Sequence, residues 1–169
     1  MPVHRLNHAV LYVSDVERSA AFYRDTLGFR TTMAFPDAIF LAAPGSTSRA
    51  DLGLFQADPE ATASRGPARR GAVGLYHLAW EVDTLAELER LAGILANAGA
   101  LVGATDHGVL KSLYAKDADG IEFSVVWVVP EELLDDAPKQ VGTLDIGKEK
   151  ARYGAETRGG VAGGVPVTD

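Results

Sequence analysis

The sequence predicts an α+β fold in which two βαβββ modules form one half-open mixed β-barrel with a cleft. A short apolar strand pattern beginning near His8 recurs near His77. An amphipathic helical pattern follows each copy and ends at a glycine, Gly28 lying 20 residues after His8 and Gly99 lying 22 residues after His77. Three further strand patterns follow each helix, so the chain repeats one unit twice.

The first module covers about residues 4–56. Its opening strand, residues 6–13, is apolar and β-branched, and a Ser-Asp pair then supplies an N-cap for a helix over about 16–27. Because this helix has one apolar stripe, we expect it to pack on one face of the strand and leave the face of His8 free. Three weaker strands, separated by turn residues, are predicted at 29–35, 39–43 and 51–56.

The second module covers about residues 74–129 and repeats the pattern with a strand at 75–82, a helix ending before Gly99, and strands at 101–104, 111–116 and 121–129. The connector 57–73 is rich in Ala, Gly, Pro and Arg without periodicity. It is interpreted as a solvated loop, and the alternative is that Arg65, Arg69 and Arg70 hold an anionic substrate.

The domain is expected to span residues 1–130, and residues 131–169 form a polar, glycine-rich C-terminal tail. A short acidic helical turn is predicted at 131–136. Because such a tail buries little surface alone, we expect it to lie along the domain or on a second subunit.

Composition excludes several classes of function. The chain of 169 residues has no cysteine, which excludes disulfides and thiolate metal ligands, and its net charge of −7 argues against nucleic-acid binding. No apolar run reaches the roughly 20 residues that span a membrane, and no signal peptide is recognised. A cytoplasmic protein that binds a small molecule is expected.

Two histidines at equivalent positions of the repeat suggest a metal site. His8 and His77 occupy equivalent positions in the first strand of each module, and Glu122 lies among apolar residues of the last strand. A buried carboxylate is costly unless it is paired or bound to a metal, and two imidazoles with one carboxylate form the triad typical of Fe(II). The alternatives are core histidines with backbone partners and a solvated edge glutamate.

Two stretches of the chain resemble a known family. They read H-A-V-L-Y-V-S-D-V-E-R-S-A-A-F-Y-R-D-T-L-G-F from His8 and D-H-G-V-L-K-S-L-Y-A-K-D-A-D-G-I-E-F from Asp106. Both resemble the vicinal oxygen chelate superfamily, which includes glyoxalases I, bleomycin-resistance proteins and type I extradiol dioxygenases. The likeness covers about residues 4–130 and implies paired βαβββ modules, a divalent metal and commonly a homodimer.

The D-H-G-x-x-x-S-L-Y run looks most like the extradiol dioxygenases, which cut catechol rings beside the two hydroxyls. This likeness implies that His8, His77 and Glu122 bind the metal, Fe(II) first, with Mn, Ni and Zn as alternatives. It implies that His107 acts as an acid/base and stabilises bound oxygen, and that Tyr114 hydrogen-bonds the catecholate. The implied substrate is a small aromatic molecule or another with vicinal oxygens.

The last strand departs from the family pattern, which usually places the ligand glutamate four residues after the turn glycine. Glu122 stands two residues after Gly120, and Ser124 stands at the fourth position. Either a shortened turn brings Glu122 into place, or the site lacks its carboxylate. Tyr114 and Glu122 share a face only if an odd number of residues separates the paired ends of their strands.

Two other functions remain open. A glyoxalase-like isomerase or lyase with Ni or Zn would need a fourth ligand near the end of the first module, where Gly53 falls; Gln56 is the alternative donor. A metal-free protein that sequesters an aromatic small molecule or antibiotic could hold it between Trp80, Tyr12 and phenylalanine rings.

Overall fold

The computed structural model describes residues 3, 5–62, 74–134 and 141–160. The connector arginines and parts of the tail therefore lie outside the described residues, as does His4. The chain forms two compact units, one made of residues up to Gly74 together with Asp117–Ile121, the other of the remaining residues.

The first unit is a four-stranded mixed sheet with one long helix. Its strands are β1 (Ala9–Val13), β2 (Arg30–Phe35), β3 (Ala38–Ala42) and β4 (Leu52–Gln56), in the order β1-β4-β3-β2. β1 runs parallel to β4, and the other pairs are antiparallel. Helix α1 (Val16–Leu27) begins after the N-cap Asp15 and ends at Gly28, whose left-handed φ of 74° suits glycine; a short helix α2 (Pro59–Thr62) follows β4.

The two faces of β1 divide as the alternating pattern predicts. Leu11 and Val13 are buried on the side of α1, together with Leu54 of β4. Val10 and Tyr12 are exposed on the opposite side, which we call the open face of the first unit. His8 immediately precedes β1, because the strand begins at Ala9 rather than at residue 6.

Residues 117–121 supply two carboxylates to helix α1. Asp119 accepts hydrogen bonds from Ser14 and from the Arg18 guanidinium, the latter at 2.7 Å. Asp117 accepts a hydrogen bond of 3.0 Å from the buried Tyr23 hydroxyl. Burial raises the pKa of the Asp117 carboxyl above its usual range, and the hydrogen bond from Tyr23 acts against this rise.

Tyr23→Phe is expected to destabilise the protein by about 1–3 kcal/mol at neutral pH, because it leaves the buried Asp117 carboxylate short of a donor. Ionisation of a carboxyl group whose pKa is raised in the folded state destabilises the fold. The loss of stability caused by Tyr23→Phe should therefore shrink as pH falls and the Asp117 carboxyl becomes protonated. Urea unfolding at about pH 4 and about pH 8 measures the difference. Tyr12→Phe, at a 67% exposed position, is the control. An equal deficit at both pH values would contradict the prediction.

The second unit is a five-stranded mixed sheet that repeats the first pattern and adds to it. Its strands are β5 (Leu78–Glu81), β6 (Leu101–Asp106), β7 (Leu110–Lys116), β8 (Glu122–Val128) and β9 (Gly142–Thr143), in the order β5-β8-β7-β6-β9. Helix α3 (Leu85–Asn97) lies between β5 and β6, a 3-10 turn spans Glu131–Leu133, and α4 (Ile146–Tyr153) follows β9.

Helix α3 packs on one face of this sheet, which we call the helix face. Thr84 caps the helix by accepting a hydrogen bond from the Glu87 backbone N–H, and the helix buries four leucines. Leu113, Val125 and Trp127 of the sheet are also buried on the helix face. The opposite face, which we call the site face, carries the polar side chains described below.

The order β1-α1-β2-β3-β4 recurs as β5-α3-β6-β7-β8, which confirms an α+β fold of two βαβββ modules. The two mixed sheets hold four and five strands, and neither closes into a barrel in the described part of the chain. No described helix has the length and apolar character needed to cross a membrane.

The C-terminal segment contributes a strand and a helix that the sequence did not predict. β9 pairs antiparallel with β6, and the Tyr153 ring of α4 lies 5.5 Å from the Trp127 ring. Further along, a Cβ placed on Gly159 would lie 2.6 Å from the Val128 carbonyl oxygen, so only glycine allows this approach. Residues 142–160 thus pack along the second unit.

Candidate active site

The pairing of β7 with β8 decides which side chains share the site face. Lys116 pairs with Glu122 and Tyr114 pairs with Ser124. Five residues, 117–121, separate the paired ends. Because this number is odd, Tyr114 and Glu122 lie on the same face, and the condition set by strand parity is met.

His77 lies at the edge of the same face. β5 runs parallel to β8, with Ala79 opposite Ser124 and Leu78 opposite Phe123. Continuing this register by one residue places His77 next to Glu122. The His77 ring lies 5.8 Å from the Tyr114 ring, and its buried Nδ1 has no hydrogen-bond partner among the described residues. An imidazole nitrogen in that state is available to a ligand.

A tight turn between β6 and β7 positions His107. Gly108 adopts a left-handed φ of 78°, and its backbone N–H donates to Asp106 Oδ1 at 2.8 Å. The His107 backbone N–H donates to the Leu110 carbonyl, which closes the turn. The His107 ring thereby reaches along β7, where its Nε2 lies 2.9 Å from the Tyr114 hydroxyl. A proton can pass between these two groups.

Glu122 and Ser124 differ in exposure although they share a face. The Glu122 side chain is 38% exposed and its Oε1 lies 3.9 Å from Lys116 Nζ, a loose ion pair at the start of β8. Ser124 is 2% exposed and faces Tyr114 directly. Glu122 therefore remains available to bind a cation, whereas the buried position opposite Tyr114 carries no charge.

Ser112 is a polar residue of the site face that sequence reasoning missed. It lies two residues before Tyr114 on β7, and its buried Oγ has no hydrogen-bond partner in the part of the chain that is described. The sequence did contain a signal for Ser112. Side chains alternate between the two faces of a strand, so Ser112 and Tyr114, two residues apart, lie on the same face.

In the first unit, His8 lies beside an open depression. It is exposed, its Nδ1 is 2.7 Å from Asn7 Oδ1, and it lines a depression of about 440 Å³ with Met33 and Phe40 among others. Next to it the open face carries edge-to-face aromatic contacts, with the Phe55 ring 5.7 Å from Phe40 and 6.4 Å from Tyr12. A polar donor thus borders an aromatic surface.

Residues 5–125 match the sequence model of the Glyoxalase/Bleomycin resistance protein/Dioxygenase superfamily. The chain belongs to this superfamily. One similar relative is Metapyrocatechase 2 of Cupriavidus necator, 33% identical over 112 residues, which are 65% of this chain and 31% of the relative. Another is Catechol-2,3-dioxygenase of Bacillus subtilis (strain 168), 30% identical over 115 residues, which are 68% of this chain and 38% of the relative. The match spans about a third of each relative's length.

A solved superfamily structure shows the same fold. The glyoxylase/bleomycin resistance protein/dioxygenase domain from Frankia sp. EAN1pec has a TM-score of 0.61 and 23% sequence identity, covering 74% of this chain and 98% of that domain. At this identity the likeness concerns the fold alone.

Two positions argue against a fourth metal ligand in this superfamily member. A Cβ at Gly53 would lie 3.2 Å from the Phe40 ring and 3.3 Å from a Val10 methyl group, so the position is crowded as well as without a donor. Both amide atoms of Gln56 are engaged at the start of α1: Nε2 donates to the Ser14 carbonyl at 2.7 Å, and Oε1 accepts from the Val16 N–H at 3.3 Å.

Trp80 does not lie where the binding-protein hypothesis needs it. It pairs with Val125, so it belongs to the helix face, opposite to His77 and Tyr114. The position of Trp80 in β5 therefore does not support the hypothesis that Trp80 and Tyr12 hold a ligand together. Only the aromatic residues of the open face are left as candidates among those that the hypothesis named in the described part of the chain.

The superfamily implies a divalent metal, and the imidazole and carboxylate groups of the proposed ligand residues are donor types that bind such an ion. His77 offers a buried imidazole nitrogen without a partner in the described chain, and Glu122 follows it in the strand register. His8 offers a second imidazole in the first unit. Within the described residues, no three His, Asp or Glu side chains converge closely enough to hold a metal ion.

Proposed function

We propose that this protein is a metal-dependent vicinal oxygen chelate enzyme of the extradiol type, a dioxygenase that cleaves a catechol-like aromatic diol. The observation that carries the proposal is the hydrogen bond between His107 Nε2 and the Tyr114 hydroxyl, next to the unpartnered nitrogen of His77. The names of the two curated relatives, a metapyrocatechase and a catechol dioxygenase, support it.

In this proposal His8, His77 and Glu122 hold the metal, Fe(II) first, with Mn, Ni and Zn as alternatives. Two imidazoles and one carboxylate leave open positions for substrate and oxygen. When bound, such a metal supplies the chelation of two vicinal oxygens and the reaction with dioxygen.

The chain's own residues would then move the protons. The diol would have to give up a proton, and the His107 imidazole is the base on the site face that would take it. The Tyr114 hydroxyl donates a hydrogen bond to the substrate oxygen, and the 2.9 Å contact with His107 lets the pair share a proton. Returning that proton from His107 to an oxygen anion completes the cycle.

The open face of the first unit suits an aromatic substrate. Tyr12, Phe40 and Phe55 pack edge to face, which leaves ring faces and edges to contact a flat ring. The two vicinal oxygens of the substrate would then be the groups that make its polar contacts. This favours an aromatic diol over a small aliphatic substrate.

The test is anaerobic loading with Fe(II), followed by catechol and then oxygen, which should give a yellow ring-cleavage product with stoichiometric oxygen uptake. The same sample without iron is the control. Catechol binding with no oxygen uptake by iron-loaded protein would reject the dioxygenase.

Two further measurements test the alternative functions. Turnover of a thiol–aldehyde adduct by the Ni or Zn form would identify the glyoxalase-like alternative. Unchanged affinity for an aromatic ligand in His8→Ala would favour the metal-free binding protein.

A homodimer remains a prediction of the family resemblance, and light scattering of the purified protein measures it. A mass of 17.9 kDa, that of one chain, would contradict it.

A further inference from the structure

We infer that Glu149, in the C-terminal helix α4, is a positioning residue for the His107–Tyr114 pair and acts through Lys111 and Asp106. The inference rests on the acid/base role proposed for His107. It assigns part of the catalytic scaffold to a segment beyond residue 125, where the superfamily match ends.

A short chain of contacts joins Glu149 to the turn that carries His107. Glu149 Oε2 lies 2.8 Å from Lys111 Nζ, which makes the two groups an ion pair. Lys111 Nζ donates to Asp106 Oδ1 at 2.6 Å. The same Asp106 oxygen accepts the Gly108 N–H at 2.8 Å, so one atom receives both the lysine and the backbone of the turn.

Burial makes these contacts energetically coupled. Lys111 is 1% exposed and Glu149 is 4% exposed. Burial opposes the charged form of Lys111, but its contacts with Asp106 and Glu149 outweigh burial and raise its pKa above the usual range. Burial also opposes ionisation of Asp106, yet the bonds from Lys111 and the Gly108 N–H hold its pKa below its usual range. Removing Glu149 would leave a buried ammonium group with one carboxylate instead of two.

The backbone ties the same segment to the same turn independently. β9 pairs with β6 at Thr143 opposite Thr105 and at Gly142 opposite Asp106, the residue before His107. The Tyr153 ring of α4 lies 5.5 Å from Lys111 Nζ, a cation–π distance. Residues 142–153 therefore contact both sides of the His107 turn. They pair with Asp106 before it through β9, and they contact Lys111 after it through Glu149 and Tyr153.

These contacts explain how the turn can hold an imidazole in one orientation. A catalytic side chain must be held closely in its productive geometry, and a displacement of about 1 Å can lower the rate by about 100-fold. The turn itself is only three residues long, from His107 to Val109, and the Asp106 carboxylate holds its backbone through the Gly108 N–H. Glu149 keeps that carboxylate in place by holding Lys111 against it.

The first test is NMR of the full-length, metal-free protein, which needs no activity. In Glu149→Ala we expect the imidazole ¹H–¹⁵N signals of His107 to shift and broaden, while those of His8 stay in place. Glu149→Gln keeps the shape and an oxygen acceptor, so it should restore part of the wild-type spectrum. Glu89→Gln, which breaks the exposed ion pair between Glu89 of α3 and Lys150 of α4, is the matched control and should leave the His107 signals unchanged.

Unchanged His107 signals in both folded Glu149 variants would overturn the inference, and so would equal shifts in Glu89→Gln. If Glu149→Ala does not fold, the Glu149→Gln spectrum decides in the same way.

The second test uses iron-loaded protein and catechol. We expect Glu149→Gln to lower kcat by about 10- to 100-fold while KM changes little, because orientation and not substrate binding is lost. Wild-type kcat in a folded Glu149→Gln variant would overturn the inference. If the wild type cleaves no catechol but the His107 signals respond to Glu149, the proposed function fails and the positioning role stands.

Discussion

His77→Ala is expected to lose its bound iron and, with it, all measurable ring cleavage. The substitution removes the one imidazole nitrogen on the site face that is buried without a partner among the described residues. Because three protein groups are proposed to hold the metal, losing one should lower metal affinity by well over the ~10- to 100-fold seen when only a supporting group is removed. Iron content after desalting, measured by mass spectrometry, checks the result.

The companion variants separate the two candidate positions on β8. Glu122→Gln should lower iron content as His77→Ala does, whereas Ser124→Ala should leave it unchanged, because a serine hydroxyl is a poor ligand for Fe(II). Glu81→Gln, an exposed carboxylate at the end of β5, is the control. Full iron retention by Glu122→Gln would remove Glu122 from the proposed ligand set.

His107→Asn is expected to lower kcat for catechol cleavage by about 100- to 10,000-fold without loss of iron, since a general acid/base contributes on that scale. Tyr114→Phe should have a smaller effect of the same kind, because it removes the hydroxyl that His107 contacts at 2.9 Å. Stopped-flow kinetics of the iron-loaded variants, with iron content determined on the same samples, provide the measurement.

A double-mutant cycle sharpens this second prediction. If the two groups share one proton, His107→Asn combined with Tyr114→Phe should be little worse than His107→Asn alone. Fully additive losses would mean that the two side chains act separately. Iron loss in His107→Asn would instead place His107 among the metal ligands.

The parts of the fold that depend on local patterns were predictable from the sequence. Alternation predicted the buried side of β1 at Leu11 and Val13, and the Ser-Asp pair predicted the start of α1 after Asp15. The strand starts were less accurate. β1 begins at Ala9 and β5 at Leu78, because a strand begins where its backbone first pairs with a neighbouring strand. Ala9 is the first residue of β1 to pair, with Leu52, and Leu78 is the first of β5, with Phe123.

The candidate site was predictable only in part, for the same reason. Strand parity and the D-H-G run pointed to Tyr114 and His107, and the structure brings these two into contact. The support from α4 was not visible, because Lys111 and Glu149 are 38 residues apart in the sequence (149 − 111) and each reads as an ordinary surface charge. Only the packed helix shows that both are buried.

The short segment Asp117–Ile121 limits how one module of such a chain could be exchanged for another by recombination. It lies within the second repeat in sequence, yet its Asp119 accepts hydrogen bonds from Ser14 and Arg18 and its Asp117 accepts one from Tyr23, all in the first unit. A half-molecule ending near Gly74 would therefore lack acceptors that its own first helix uses. A gene that exchanges the first module alone would therefore have to carry Asp117 and Asp119 with it to keep these hydrogen bonds.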